Sequence, residues 1–203
     1  MNLDLKFKSP KTEFKSILSL IPAIYKKDFA QVKTSGSLDL NGEVKGTYSE
    51  VTYPAFKLNL KVDNGMFQYP TLPVAVKNIF IVANVSKPQG DLDLTVVDVS
   101  KLHLEAGADP VDAKINVRTP VSDPDVAANI VGKLNLANVP NFYPMEGLKT
   151  ISGMLNMNLD FSGKKSDVYK KNYSAIKAAG SAKITDLVYD SKDVPMPVQV
   201  SDM

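Results

Sequence analysis

His103, in the stretch SKLHLEAG, is the single histidine of this chain, and cysteine is absent altogether. One imidazole with no thiol cannot assemble the His/Cys ligand set of a zinc site. It also leaves any Ser-His-Asp arrangement resting on that one residue. Leu102 and Leu104 flank it, so alternation places the ring on the wet side of a strand. Among the carboxylates, Asp91 and Asp93 in GDLDL share a face if that stretch is extended, and PVSDPD holds Asp123 and Asp125. Alternate carboxylates can chelate Ca²⁺, but the glycine and distal glutamate of an EF-hand-type loop are missing. A solvated strand face and a turn account for them more simply. No phosphate-cradling glycine loop and no G-x-S-x-G nucleophile turn occurs. The expectation is no catalytic residue, no metal and no cofactor, hence a protein that is not an enzyme.

The composition points the same way. The chain has 203 residues, 44% hydrophobic and 23% charged, enough to bury a core without disulfide or metal. Lys+Arg number 24 against Asp+Glu 22, for a net charge of +2. The basic residues are scattered and tryptophan is absent, which argues against a nucleic-acid surface. No stretch reaches the roughly 18 apolar residues of a membrane span, and MNLDLKFKSPK lacks the architecture of a secretory signal. Two readings of the ends compete, a complete cytosolic protein and a piece cut from a longer one; the last residues, VPMPVQVSDM, stop inside an alternating pattern, which favours the second.

Alternation dominates the elements that would have to position any site. It runs through SLDLNGEV, FKLNLKV, GDLDLTV, AKINV, GKLNL, GMLNMNLDF and VPMPVQV. Period two with polar residues between predicts antiparallel strands with one apolar and one wet face. NIFIVANV (78–85) is apolar on both sides and predicts a strand covered on both faces. DNG (63–65), KPQGD (87–91) and EAGADP (105–110) predict turns. Two stretches depart from the pattern. In SPKTEFKSILSLIP, Ser9 suits an N-cap, Pro10 the first helical position, and Phe14, Ile17, Leu18 and Ile21 a helical stripe. In SDVYKKNYSAIKAAG, Ser166 suits the N-cap, Tyr169, Tyr173 and Ile176 the stripe, and Gly180 the C-terminal stop.

The second of these helices ends on a stretch that has a twin. DFAQVKTSGSLDL and NYSAIKAAGSAKI share an aromatic, a β-branched residue, a lysine (Lys33, Lys177) and Gly-Ser, with Gly36 and Gly180 lying 144 residues apart. Each glycine is therefore expected to be a structural junction from a helix into a strand. SGSLDLNGEVKG (35–46) and SGMLNMNLDFSG (152–163) add a weaker echo, and LPVAV resembles MPVQV. The chain reads as one β-rich region, 1–203, with internal repeat units 9–85 and 132–203, a pattern suited to an architecture that grows by stacking.

So many one-sided strands, with two short helices to cover them, leave a large apolar area to remove from water. Each Å² costs about 25 cal/mol when exposed. A sandwich, a closed barrel or a curled sheet with an apolar groove would each satisfy this requirement.

SPKTEFKSILSLIPAIYKKDFAQVKTSGSLDLNGEVKGTY, DAKINVRTPVSDPDVAANIVGKLNLANV and AIKAAGSAKITDLVYDSKDVPMPVQVSDM resemble the AsmA family of bacterial envelope proteins, especially its Bacteroidota-type members, over nearly the whole chain. The resemblance implies an N-terminal transmembrane anchor, missing here, and a long region on the periplasmic side of the inner membrane. Larger relatives of the TamB and YhdP type form a taco-shaped β-sheet with a hydrophobic groove, implicated in moving phospholipid towards the outer membrane; AsmA is linked to outer-membrane assembly. The fold expected on these grounds is mainly β: an elongated, curved antiparallel sheet, groove-like or sandwich-like, with two short amphipathic helices. Its partners would be phospholipid acyl chains or envelope proteins, not nucleic acid. The residues expected to line the groove, or equally a packed core, are Phe56, Leu58, Leu60, Leu92, Leu94, Ile115, Val117, Leu134, Leu136, Leu155, Met157 and Leu159. The competing reading is a structural or protein-interaction β-domain, a periplasmic spacer with a closed core and no ligand.

Overall fold

The described residues form ten strands, each hydrogen-bonded to its neighbours in the chain. The computed structural model describes residues 1–13, 32–49, 52–69, 72–143 and 145–202. The strands are β1 (Asn2–Glu13), β2 (Lys33–Thr47), β3 (Ala55–Gln68), β4 (Val76–Lys87), β5 (Val96–Ala106), β6 (Asp109–Arg118), β7 (Asp125–Asn135), β8 (Leu148–Lys164), β9 (Lys177–Ser191) and β10 (Val198–Asp202). They form one antiparallel sheet in the order of the chain, with β1 and β10 at its edges. The sheet is open: among the described residues it neither closes into a barrel nor divides into two sheets. An antiparallel meander can be joined by short turns, and turn chemistry supplies two of them. Gly107, with φ +72°, makes the tight β5–β6 turn between the paired residues Ala106 and Asp109. Gly90 (φ +129°) serves the β4–β5 connection in KPQGD.

The strands are longer than the alternating runs suggested, reaching 17 residues in β8. One reason is that expected turns are absorbed as bulges. Asp63-Asn64-Gly65 lies inside β3, where Asn64 takes φ +50° and the register with β4 shifts between Val62 and Gly65. Gly36 in β2 and Asn78 in β4 also have positive φ, +111° and +51°. Three neighbouring strands are thus irregular at one level, and bulged strands bend there. Beyond the bend, Phe67, Val76 and Leu104 pack against Leu38, Val62 and Ile79, the buried cluster of the molecule. Val62 and Leu38 are 0% and 1% exposed.

Two short helices were expected, and where the described residues show them their bounds differ. Ser9 and Pro10 belong to edge strand β1, which continues to Glu13; proline is tolerated on an edge because its missing N–H faces no partner. Phe14, Ile17, Leu18 and Ile21 lie outside the described residues. The second helix shrinks to α1 (Lys165–Tyr169), followed by a 3-10 turn, Tyr173–Ala175. Its expected stripe is not buried, with Tyr169 76% and Tyr173 64% exposed. A helix this short is marginal, whereas KAAG gains a ladder along β8, where Lys177 faces Ser162 and Gly180 faces Leu159. Gly180 is consequently inside β9 rather than at a helix end, and Gly36 is inside β2. Both are the fourth residue of their strands, after a lysine at the first, and their φ values are +110° and +111°. The twin stretches therefore share a strand geometry. The weaker echo holds at Gly153 (φ +122°), another strand bulge, but Gly163 has no positive φ to match the +121° of Gly46.

Candidate functional site

Because directly opposed residues in an antiparallel sheet point to the same side, the register defines the two faces. One row of opposed residues runs Leu40, Leu60, Ala83, Val99, Ile115, Ala128, Phe161, Ala178, from β2 to β9. A second runs Leu38, Val62, Ile81, Leu102, Ala113, Ile130, Leu159, Gly180 across the same strands. A third joins Leu58, Val85, Val97, Val117 and Val126. These rows lie on one side of the sheet and make a continuous apolar face. Leu38, Val62 and Ala113 are buried, Ala178 and Gly180 on β9 are exposed, and the other named residues are partly buried.

Nine of the twelve expected lining residues fall on this face. Phe56, Leu58 and Leu60 come from β3, Ile115 and Val117 from β6, Leu134 from β7, and Leu155, Met157 and Leu159 from β8. Leu136 leaves it: the chain turns into a 3-10 helix (Leu136–Asn141) capped by Asn135, and Leu136 is buried there. Leu92 and Leu94 are not in a strand. They form a 3-10 turn, 36% and 48% exposed, because the Asp91 carboxylate accepts the Asp93 N–H and closes the backbone locally. The face also contains residues outside the expected set, including Val85, Val97, Val99, Ile130 and Phe161. Strand β1, absent from the expected strands, extends it with Leu5 opposite Val44 and Phe7 opposite Gly42.

The opposite face is polar and has its own order. Lys8, Asn41, Asn59, Asn84, Asp98, Asn116, Ala127, Ser162 and Lys177 make one row across nine strands. Side-chain amides link it: Asn84 Nδ2 donates to Asn59 Oδ1 at 2.7 Å, and Asn59 Nδ2 to Asn41 Oδ1 at 2.9 Å. Asn116 Nδ2 donates to Asp98 Oδ1 at 3.2 Å. The recurrent apolar-Asn-apolar triplets, such as LNL and INV, were the signal for this ladder. Where the row narrows to Ala127 and Ser162, an open depression of about 790 Å³ forms over β5–β9. Among the described residues, NIFIVANV does not have an element on each side. Phe80 faces out, with the Lys101 and Lys61 ammonium groups 4.9 and 5.5 Å from its ring centre, so the lysines cover it.

His103 stands on the polar face, as its alternation implied. Its Nδ1 is 2.9 Å from Asp112 Oδ1 on β6, and Glu105 Oε1 is 3.9 Å from Nε2. Among the described residues no hydroxyl bonds to the ring, and no cluster of His, Asp and Glu could hold a metal ion.

The other carboxylates have structural work in the connections. Asp93 Oδ1 accepts the backbone N–H groups of Val121 and Ser122, both at 3.0 Å, tying the β4–β5 connection to the β6–β7 turn. Asp123 accepts the Ser166 N–H at 2.9 Å and its hydroxyl at 2.8 Å, tying that turn to α1. Hydrogen bonds from Ser122 and Ser166 hold the two carboxyl groups below the ordinary carboxylate range. Lys87 is the one charged side chain buried among the described residues, and it sits on the apolar side, opposite Phe56. Its ammonium donates to the carbonyls of Pro88 (2.8 Å), Tyr53 (3.2 Å) and Gly90 (3.2 Å), filling its three N–H bonds. Desolvation lowers its pKa, while Asp91 opposes the shift.

No family model, curated protein or solved structure matches the chain. No helix among the described residues is long and apolar enough to cross a membrane.

Proposed function

We propose that this chain is a non-catalytic, periplasmic β-sheet region of an AsmA-like envelope protein, and that phospholipid acyl chains lie along its apolar face during outer-membrane assembly or phospholipid transport. The full protein would be held on the periplasmic side of the inner membrane by an N-terminal anchor. The observation that carries this reading is the apolar face: it runs from β1 to β9, most of its side chains are partly buried or exposed, and among the described residues the sheet is open. Such a face is non-directional and favours any apolar chain laid on it, by about 2.5 kcal/mol for each 100 Å² covered. The polar ladder on the other side gives the sheet one greasy and one wet surface, which suits contact with lipid on a single side.

The test is to purify the protein from a bacterial envelope, extract it and identify lipid by mass spectrometry. Phospholipid is expected with the wild type. Ile115→Arg and Leu159→Arg, on the apolar face, should lose it, whereas Asn116→Arg, on the polar face, should retain it. Absence of lipid from the wild type, or loss that does not depend on the face, would sink the reading.

The spacer reading is favoured by one observation, the Leu38–Val62–Ile79 cluster, which the chain's own side chains pack. On that reading, the arginine substitutions lower the unfolding temperature and there is no bound lipid to lose.

A further inference from the structure

The two edges of the sheet differ in how they face water. From Asn2 to Ser9, β1 pairs with β2 without a break in register. Its other side has no strand among the described residues. Asp4, Leu5, Lys6, Phe7 and Lys8 are all exposed, Leu5 to 55% and Phe7 to 44%. The opposite edge is blunted. There β10 covers β9 only between Thr185 and Tyr189, and the uncovered part carries Lys177, Lys183 and the positive-φ Gly180. A short edge strand and irregular backbone discourage edge pairing, as do lysines, which β1 also carries at Lys6 and Lys8. A regular edge with exposed leucine and phenylalanine is the form that invites it.

NLDLKFK is also complementary to itself when run antiparallel. With Leu5 opposite the Leu5 of a second copy, Leu3 meets Phe7, Asp4 meets Lys6 and Asn2 meets Lys8. Every apolar residue then faces an apolar one, and two ion pairs form on the polar side. A slip of one residue would turn apolar side chains to the polar face. A slip of two in the direction that centres on Lys6 would oppose two lysines, which is unfavourable. Asp4 already lies 3.4 Å from Lys45, but both groups are largely exposed, so that contact does not hold it back.

We propose that β1 is an isologous interface, through which two copies of this chain join antiparallel, Leu5 on Leu5. The two-fold axis is perpendicular to the sheet, so the apolar faces of both copies lie on the same side and form one face of double width. The proposal rests on the edge alone and stands whether or not lipid binds.

Sedimentation velocity over a range of concentrations tests it. The wild type should show a reversible monomer–dimer equilibrium that Leu5→Lys abolishes. Asp4→Lys and Lys6→Asp should each be monomeric alone, because like charges then face each other. Mixed, they should form a heterodimer, because both pairs become opposite in charge again. This rescue does not depend on how much either substitution weakens the fold. The chain has no cysteine, so Leu5→Cys should oxidise to a covalent dimer, while Val131→Cys, exposed on the polar face of β7, should not. A wild type that stays monomeric, a dimer indifferent to these substitutions, or open-ended oligomers would overturn the proposal.

Discussion

Gly36 shows how a glycine that reads as a helix end can instead be a strand bulge. Its φ of +111° lies where side chains are strained, and an added Cβ would stand 2.6 Å from the Asn64 carbonyl oxygen in the next strand. Gly180 would collide with the Asn158 carbonyl in the same manner. The shared spacing of lysine and glycine in the twin stretches was visible in the sequence, but the role read from it, a helix end, was not the one the fold uses. The reason is that positive φ serves equally at a helix terminus and in a strand bulge, and only pairing with neighbouring strands distinguishes them. Gly36→Val should therefore destabilise the protein by about 2–4 kcal/mol, from backbone strain and overpacking together. Gly107→Asn should cost less than about 1 kcal/mol, since φ +72° is a conformation that asparagine accepts and its nearest new contact is at 3.9 Å. Chemical denaturation of both variants reads the contrast, and an equal loss would refute the bulge argument.

At the level of elements, the connections are held by carboxylates accepting backbone N–H groups. Asp93 and Asp123 looked like a strand face and a turn; their partners lie 28 to 43 residues away, out of reach of any local pattern. Both have folded-state pKa values below the ordinary carboxylate value. A carboxyl group depressed on folding adds stability that is complete above its unfolded value, and this is lost as pH falls through the folded value. The wild type should accordingly lose stability on acidification below about pH 4, the ordinary carboxylate region. The double variant Asp93→Asn/Asp123→Asn should be less stable at neutral pH yet lose less between neutral and acid. Parallel pH profiles of thermal unfolding for the two proteins would show that these loops do not carry the acid sensitivity.

The whole molecule concentrates its burial at one end. Leu38, Val62 and Ile79 pack tightly around the bend in β2–β4, whereas Ile115, Ile130 and Leu159 are partly buried in an open sheet. Local opening follows the number of buried contacts, so hydrogen exchange should be slowest in β2–β4 and faster in β7–β9. An acyl chain on the apolar face should slow β7–β9 selectively. Uniform protection along the sheet would contradict this division. Composition and alternation by themselves determined that the chain is mainly β, that its strands are antiparallel with one apolar side, and that most of the chosen leucines share it, because side-chain direction in a strand alternates with fixed period. The tertiary structure decided what alternation cannot express. It showed that DNG is a bulge and GDLDL a turn, that KAAG joins β9, that asparagines line up across strands, and that the strands make one open sheet rather than a sandwich. Those outcomes depend on register and on which strands meet, interactions between residues far apart in the chain, to which a local pattern is blind.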